Sequence, residues 1–275
     1  MSFYPTCTSS ARPSNPLIGD TRFETDTKNI IVWDGTAWRG FDNDGVAFNI
    51  GSTCAGFDGV DDYISVADAD NLSFGNSTSD SPFTLALWLN SGTSGHVRMI
   101  TKGVGTPQEY AFTAGSAGTP SLTLYDGDVT KRIQITSQTA LTQGTWQHWA
   151  VTYDGSGSHA NSKIYLNGSA VATTPGGAGT YVAMHNTSTP VNIGRHNIIS
   201  GGTTYQTFTE GKMDDVAIFS KALTASEVSA ICNSNIYPED YLVSFWRFEG
   251  NANDSKGSND GTNNGGTNLN AVART

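Results

Sequence analysis

The chain is poor in cations: 15 Lys and Arg stand against 25 Asp and Glu, for a formal net charge of −10. No basic stripe runs along it, which argues against a nucleic-acid partner. Long apolar runs are missing as well. No stretch reaches the ~18 apolar residues that a spanning helix needs, so no membrane insertion is expected. Residues 1–16 lack a charged segment followed by an apolar one, so no secretory signal peptide is expected and synthesis in a host cytoplasm is. Cys7, Cys54 and Cys232 are an odd number at wide spacings with no Cys-x-x-Cys pair. That pattern supports neither a zinc site nor a disulfide framework, and buried thiols are expected instead. Glutamate is rare too, confined to Glu24, Glu109, Glu210, Glu227, Glu239 and Glu249. No Gly-x-Ser-x-Gly elbow, phosphate loop or His-Glu-x-x-His is present.

Glycine is plentiful, at 31 residues, with frequent Ser, Thr and Asn between short apolar runs. Aromatic residues make up 10%, with six Trp, enough for a substantial core. This mixture predicts many short strands joined by tight turns. Phe83-Thr-Leu-Ala-Leu-Trp-Leu89 alternates with period two, as a sandwich strand does. Further strands are expected over 54–57, 63–66, 96–102, 109–113, 121–125, 131–136, 147–153, 162–166, 191–193, 211–219 and 241–248. Asn167-Gly168 marks a type I′ hairpin. Thr224-Ala-Ser-Glu227 reads as a capping box opening one short helix. His148 lies within a strand and is read as structural. The fold class is therefore all-β: an antiparallel β-sandwich with one short helix, plus a small N-terminal β-hairpin module. Three regions are expected: an extended arm over 1–16, a small attachment or oligomerisation module over 17–45, and the sandwich over 46–275. Gly250–Gly266, rich in Gly, Asn and Asp, is expected to be a loop.

Four segments resemble the laminin-G-like branch of the concanavalin A-like lectin/glucanase superfamily, a jelly-roll fold. They are Phe57-Asp-Gly-Val-Asp-Asp-Tyr-Ile64, Gly144-Thr-Trp-Gln-His-Trp-Ala-Val-Thr-Tyr153, Ser162-Lys-Ile-Tyr-Leu-Asn-Gly168 and the stretch from Gly211 to Glu227. In the usual family order, a strand like Leu242–Gly250 and the loop after it come first. Here they come last, so the domain is expected to be circularly permuted. Pro16–Arg39 is similar to a short β module of phage tail fibres and other virion surface proteins. That resemblance implies a virion structural protein, either a capsid decoration or a tail or fibre component.

The superfamily's retaining glucanases carry a Glu-x-Asp-x-x-Glu strand, and this chain has no such pattern, so no enzymatic activity is expected. The resemblance implies a structural Ca2+ held by Asp214 or Asp215, Glu249 and Asp254, with Asp260 nearby; such an ion takes six to eight oxygens. On a regular strand Asp214 and Asp215 face opposite sides, so only one can serve a given ion. Candidate glycan-binding residues are Tyr125, Asp126, Asp128, His185, Arg195, His196 and Tyr205. The expected partners are other virion proteins, further copies of the chain in a homo-oligomer such as a trimer, and a host-surface glycan. A secreted carbohydrate-binding lectin module is the alternative, and a glycoside hydrolase a weaker one.

Overall fold

The computed structural model describes residues 6–7, 11–14, 17, 21–24, 30–33, 38–41, 47–49, 53–103, 107–200 and 203–272. The chain divides into two compact units, Met1–Ser52 with Ala273–Thr275, and Thr53–Val272. The N-terminal unit holds a five-stranded sheet with its strands in chain order: Thr6–Cys7, Thr21–Glu24, Ile30–Trp33, Trp38–Phe41 and Ala47–Asn49. The first pair is parallel and the rest are antiparallel. Thr6–Cys7, within the expected arm, is thus the first strand of this sheet. The expected turns at 25–29 and at Asp34-Gly35 lie outside the described residues.

The second unit is a sandwich of two antiparallel sheets. The first sheet runs Ser169–Ala170, Lys163–Leu166, Trp146–Tyr153, Phe83–Ser91, Glu210–Phe219, Thr53–Asp58, Asn268–Val272, with Leu242–Trp246 also paired to Glu210–Phe219. The second runs Thr173–Ala178, Asp128–Ser137, Pro120–Asp126, Gln108–Ala114, Val97–Gly103, Val191–Ile193, Tyr63–Val66, Gly261–Asn264. Between them lies one apolar core that includes Ile64, Phe83, Leu85, Leu87, Tyr110, Phe112, Leu122, Leu124, Trp149, Val151 and Trp246. Burial of this apolar area is the main force closing the sandwich.

Local chemistry accounts for the connections. Asn167 and Gly168 both have positive φ, 49° and 80°, as a type I′ turn requires. Thr224 caps the helix Ala225–Ser234 and closes the capping box with Glu227; Asn235 ends the helix in the left-handed region. The helix lies on the outer face of the first sheet. Ala150, Ala86 and Ala217 are register partners across three strands there, and their small side chains lie under Leu223, Val228 and Ile231.

Glu210–Phe219 is less regular than its sequence implies. Its first half pairs with Thr53–Asp58 and its second half with Leu242–Trp246. Its register against Phe83–Ser91 jumps between Asp214 and Ala217, and Asp215 adopts a φ of 47°. Asp tolerates that conformation better than most residues. Strict alternation of Asp214 and Asp215 across the sheet therefore fails at this bulge.

Other differences have simple causes. Gly261–Asn264 and Asn268–Val272 are strands although they carry few apolar residues; both are edge strands, where backbone pairing suffices. A two-stranded hairpin, Arg195–Ser200 with Thr203–Phe208, was not expected. No disulfide joins the three cysteines, but only Cys54 is buried; Cys7 and Cys232 are half-buried. Among the described residues, no helix is long and apolar enough to cross a membrane.

Candidate ligand-binding face

The helix and its attached segments cover part of the outer face of the first sheet. The outer face of the second sheet is different, because alternation places polar side chains there. In Pro120–Asp126, Leu122 and Leu124 enter the core, so Ser121, Thr123 and Tyr125 point outward. In Gln108–Ala114, Tyr110 and Phe112 enter the core, leaving Ala111 and Thr113 outward. Arg98, from the neighbouring strand, is 5% exposed. Its guanidinium donates to Thr207 Oγ1 at 2.8 Å, Ala114 O at 3.3 Å and His96 Nδ1 at 3.2 Å.

The Arg195–Phe208 hairpin docks on this face through polar contacts. Thr101 Oγ1 donates to Arg195 O at 2.9 Å, and Gln108 Nε2 donates to Asn197 O at 3.0 Å. Thr209 Oγ1 both accepts from Arg98 N and donates to Arg98 O, each at 2.8 Å. His196 Nε2 lies 3.4 Å from Gln108 Oε1. A proton on His196 Nε2 would serve this contact, since a carbonyl oxygen can only accept. Burial, reinforced by the positive charge of Arg98, lowers the His196 pKa to about 4.

The expected ligand residues fall into two groups. Tyr125 and Asp126 end one strand, and His185 Nε2 approaches Asp126 Oδ1 at 3.0 Å. Val182 N donates to Asp126 Oδ2 at 3.1 Å. Gly127, at a φ of 71°, makes the approach feasible, since a Cβ there would come within 2.8 Å of the His185 ring. Arg195 and His196 form the second group. Arg195 lies over the Tyr63 ring, 3.7 Å from its centroid, and donates to Asn192 Oδ1 at 2.9 Å. Arg98 links the groups: its charge acts on both Tyr125 and His196. Burial raises the Tyr125 pKa, an effect opposed by Arg132, Thr123 and Arg98. Tyr205 is a backbone partner of Ile198; its side chain and that of Asp128 lie outside the described residues.

Arg98, Gln108 and Asn197 were not among the expected residues. The outward Ser, Thr and Tyr of two adjacent strands were a readable signal for the face. The register shift in the Val97–Gly103 strand hid Arg98, because alternation is broken there.

The acids expected to hold calcium are engaged as follows. Asp254 Oδ1 accepts from the Phe245 and Lys256 amides, and Oδ2 from Asn259 N, at 2.9, 3.0 and 3.1 Å. Asp260 Oδ1 accepts from Asp254 N, Glu249 Oε2 from Thr53 Oγ1, and Asp214 Oδ1 from Asp215 N. Asp215 is half-buried at the bulge. Among the described residues, the acids whose ligand atoms lie within 4.8 Å of one another are Asp58, Asp61 and Asp62. That cluster is a turn closed on itself: Asp58 Oδ1 accepts from Val60 N and Asp62 Oδ2 from Asp58 N.

Elsewhere, buried polar nodes tie loops to the sandwich. Asp80 accepts from the Tyr153 and Tyr181 hydroxyls, each at 2.6 Å, and from Met184 N at 2.8 Å. Lys102, fully buried, pairs with Asp68 at 2.5 Å and with Glu109 at 3.3 Å.

A family model described as the concanavalin A-like lectin/glucanases superfamily matches residues 58–229, more than half of the chain. No curated protein matches. Among solved structures, one from Bacteroides ovatus, described as a candidate carbohydrate binding protein, is 20% identical with a TM-score of 0.54, over 80% of this chain and 60% of that one. The chain thus spans 60% of that protein's length. A heptameric SAP-like pentraxin from Limulus polyphemus is 19% identical over 62% of this chain and 82% of that one, with a TM-score of 0.41. The Ruminococcus gnavus sialidase module CBM40 bound to α2,3-sialyllactose is 13% identical over 64% of this chain and 96% of that one, with a TM-score of 0.44.

Proposed function

The chain belongs to the concanavalin A-like lectin/glucanases superfamily, and from that premise we propose that its sandwich is a glycan-binding domain displayed on a virion structural protein. One observation carries the binding half. On the outer face of the second sheet Arg132, Gln134 and Arg195 stay partly exposed, with Arg195 over the Tyr63 ring. Saccharides are recognised by such convergent polar groups beside aromatic surfaces. The virion half rests on the likeness of Pro16–Arg39 to tail-fibre modules. In this reading residues 1–45 attach and trimerise the protein, and the sandwich faces outward as a decoration, tail or fibre element. The proposal is of adhesion without catalysis.

The reading includes a circular permutation. Thr53 and Val272 pair directly, so a family-order chain would pass from one to the other through a hairpin. Permutation is tolerated when the ends lie together in this way.

A glycan array run on the full chain, with and without calcium, tests the binding half. Retention of specific glycans is expected, and silence under both conditions would remove it. Light scattering and the genomic neighbourhood test the virion half. A trimer encoded beside capsid or tail genes is expected. A monomer encoded far from such genes overturns it.

A further inference from the structure

Lys102 is a lysine at the edge of the core, and its side chain is fully buried. It is the register partner of Val191 and Tyr110, and Val191 is in turn the partner of Val66. Register partners share a face of the sheet, and those three residues belong to the apolar core. The amine therefore points inward, where two carboxylates meet it. Nζ lies 2.5 Å from Asp68 Oδ1 and 3.3 Å from Glu109 Oε1. The Glu109 side chain is fully buried as well, and that of Asp68 is 28% exposed. Separate charges at such depth are held against a desolvation cost. Asp68 Cγ is one carbon–oxygen bond, about 1.2 Å, beyond Oδ1. The amine nitrogen is thus within ~3.7 Å of that carbon, close to the ~3–3.5 Å of a near-attack arrangement.

The surroundings orient the amine. Nζ donates to Thr189 O at 2.7 Å and to Thr187 O at 3.3 Å. Two of its three protons are engaged there, and the third lies between Nζ and Asp68. Once that proton leaves, the lone pair faces the Asp68 carboxyl. Glu109 Oε1 accepts from Thr187 N, Thr187 Oγ1 and Ser73 Oγ. Its Oε2 is buried with no hydrogen-bond partner among the described residues, and so has room for a proton. Burial raises the Glu109 pKa, an effect opposed by Lys102, and a raised pKa makes the carboxylate a better base.

We infer that Lys102 and Asp68 condense into an intramolecular amide bond, with Glu109 carrying the proton. The ammonium first passes its third proton to Asp68 Oδ1, leaving a neutral amine beside a neutral carboxylic acid, the pair that burial favours. The Nζ lone pair then attacks Asp68 Cγ and the nitrogen–carbon bond forms. Glu109 takes one proton from the nitrogen and delivers it to the Asp68 hydroxyl. The carbon–oxygen bond breaks, water departs through the partly exposed Asp68 side, and the amide nitrogen keeps one hydrogen. Charge and atoms balance with no co-reactant. The product replaces a buried ion pair with a neutral link. It ties the segment after Tyr63–Val66 to Val97–Gly103 across the intervening Val191–Ile193 strand, in a chain whose described cysteines are free.

The test is mass spectrometry of the full chain, folded, aged at neutral pH and then denatured. A mass one water below that of the sequence is expected. Trypsin should release peptide 40–98 joined to peptide 99–131 through Asp68 and Lys102, uncut at the acylated lysine. Succinimide formation at an Asp-Gly step also removes one water, but it leaves linear peptides. Asp68→Ala and Lys102→Met should keep the full mass. Glu109→Gln, folded by circular dichroism, should form the bond ~100-fold more slowly or worse. A parent chain at full mass overturns the inference, whether or not any variant folds. A lost water that yields only linear peptides, or that persists in Asp68→Ala, overturns it too. A folded Glu109→Gln that forms the bond at the parental rate overturns the role of Glu109.

Discussion

Thr53 and Val272, at the two ends of the sandwich, are register partners in adjacent antiparallel strands. The bond network is therefore continuous across the point where the chain enters and leaves the domain. A permuted gene that joins Val272 to Thr53 through a short Gly-containing turn and opens the chain before Pro238 is expected to fold. Its circular dichroism spectrum should match the parent's and its Tm should lie within a few degrees. Loss of cooperative unfolding would show that the native ends are needed.

The alanine row under the helix gives a second test. Ala86 is 1% exposed and sits between Ala150 and Ala217. Ala86→Leu inserts volume where the helix lies close, and overpacking of this kind costs about 1–3 kcal/mol. Urea denaturation should show a lower midpoint at unchanged slope. An unchanged midpoint would mean that the helix does not press on this row.

Asp254 is the organiser of the loop after Leu242–Trp246, with three backbone amides on its carboxylate. Asp254→Ala leaves those donors without their acceptor, at a cost of about 3 kcal/mol or more. Because these bonds need no ion, EDTA is expected to leave the Tm of the parent unchanged. A fall in Tm that calcium restores would establish a structural metal.

His196 makes stability depend on pH. It stays neutral in the fold down to about pH 4, against an ordinary value of 6.5. Between those values the unfolded chain binds the extra proton, so stability is intact above about pH 6.5 and declines as pH falls towards 4. The loss is on the order of 3 kcal/mol. Burial raises the pKa of Asp80 and Glu109, which act in the opposite sense. The difference between the parent and His196→Gln across this range isolates the histidine. Parallel pH profiles would refute the assignment.

The capping box and the Asn167-Gly168 hairpin were legible because each is decided by a few adjacent residues. Strands such as Phe83–Ser91 and Trp146–Tyr153 were legible for the same local reason, since apolar runs and period-two alternation survive without context. Gly261–Asn264 and Asn268–Val272 were not, because edge strands are held by backbone pairing that leaves little trace in side-chain pattern. Around the second sheet, the polar character of Tyr125, His185 and His196 could be read from the sequence, but not that His185 meets Asp126 or that His196 is buried against Gln108. Arg98 was not, since a bulge breaks the alternation of its strand.

Composition, alternation and turn chemistry thus determined, from the sequence alone, an all-β sandwich with one capped helix. The tertiary structure decided what those local rules cannot reach. It set which strands lie side by side, brought Thr53 to Val272, gave Asp254 its backbone amides, and set the Arg98 guanidinium among Thr207, Ala114 and His96. These are long-range pairings, set by which apolar faces can be buried together, and no window of neighbouring residues carries that information.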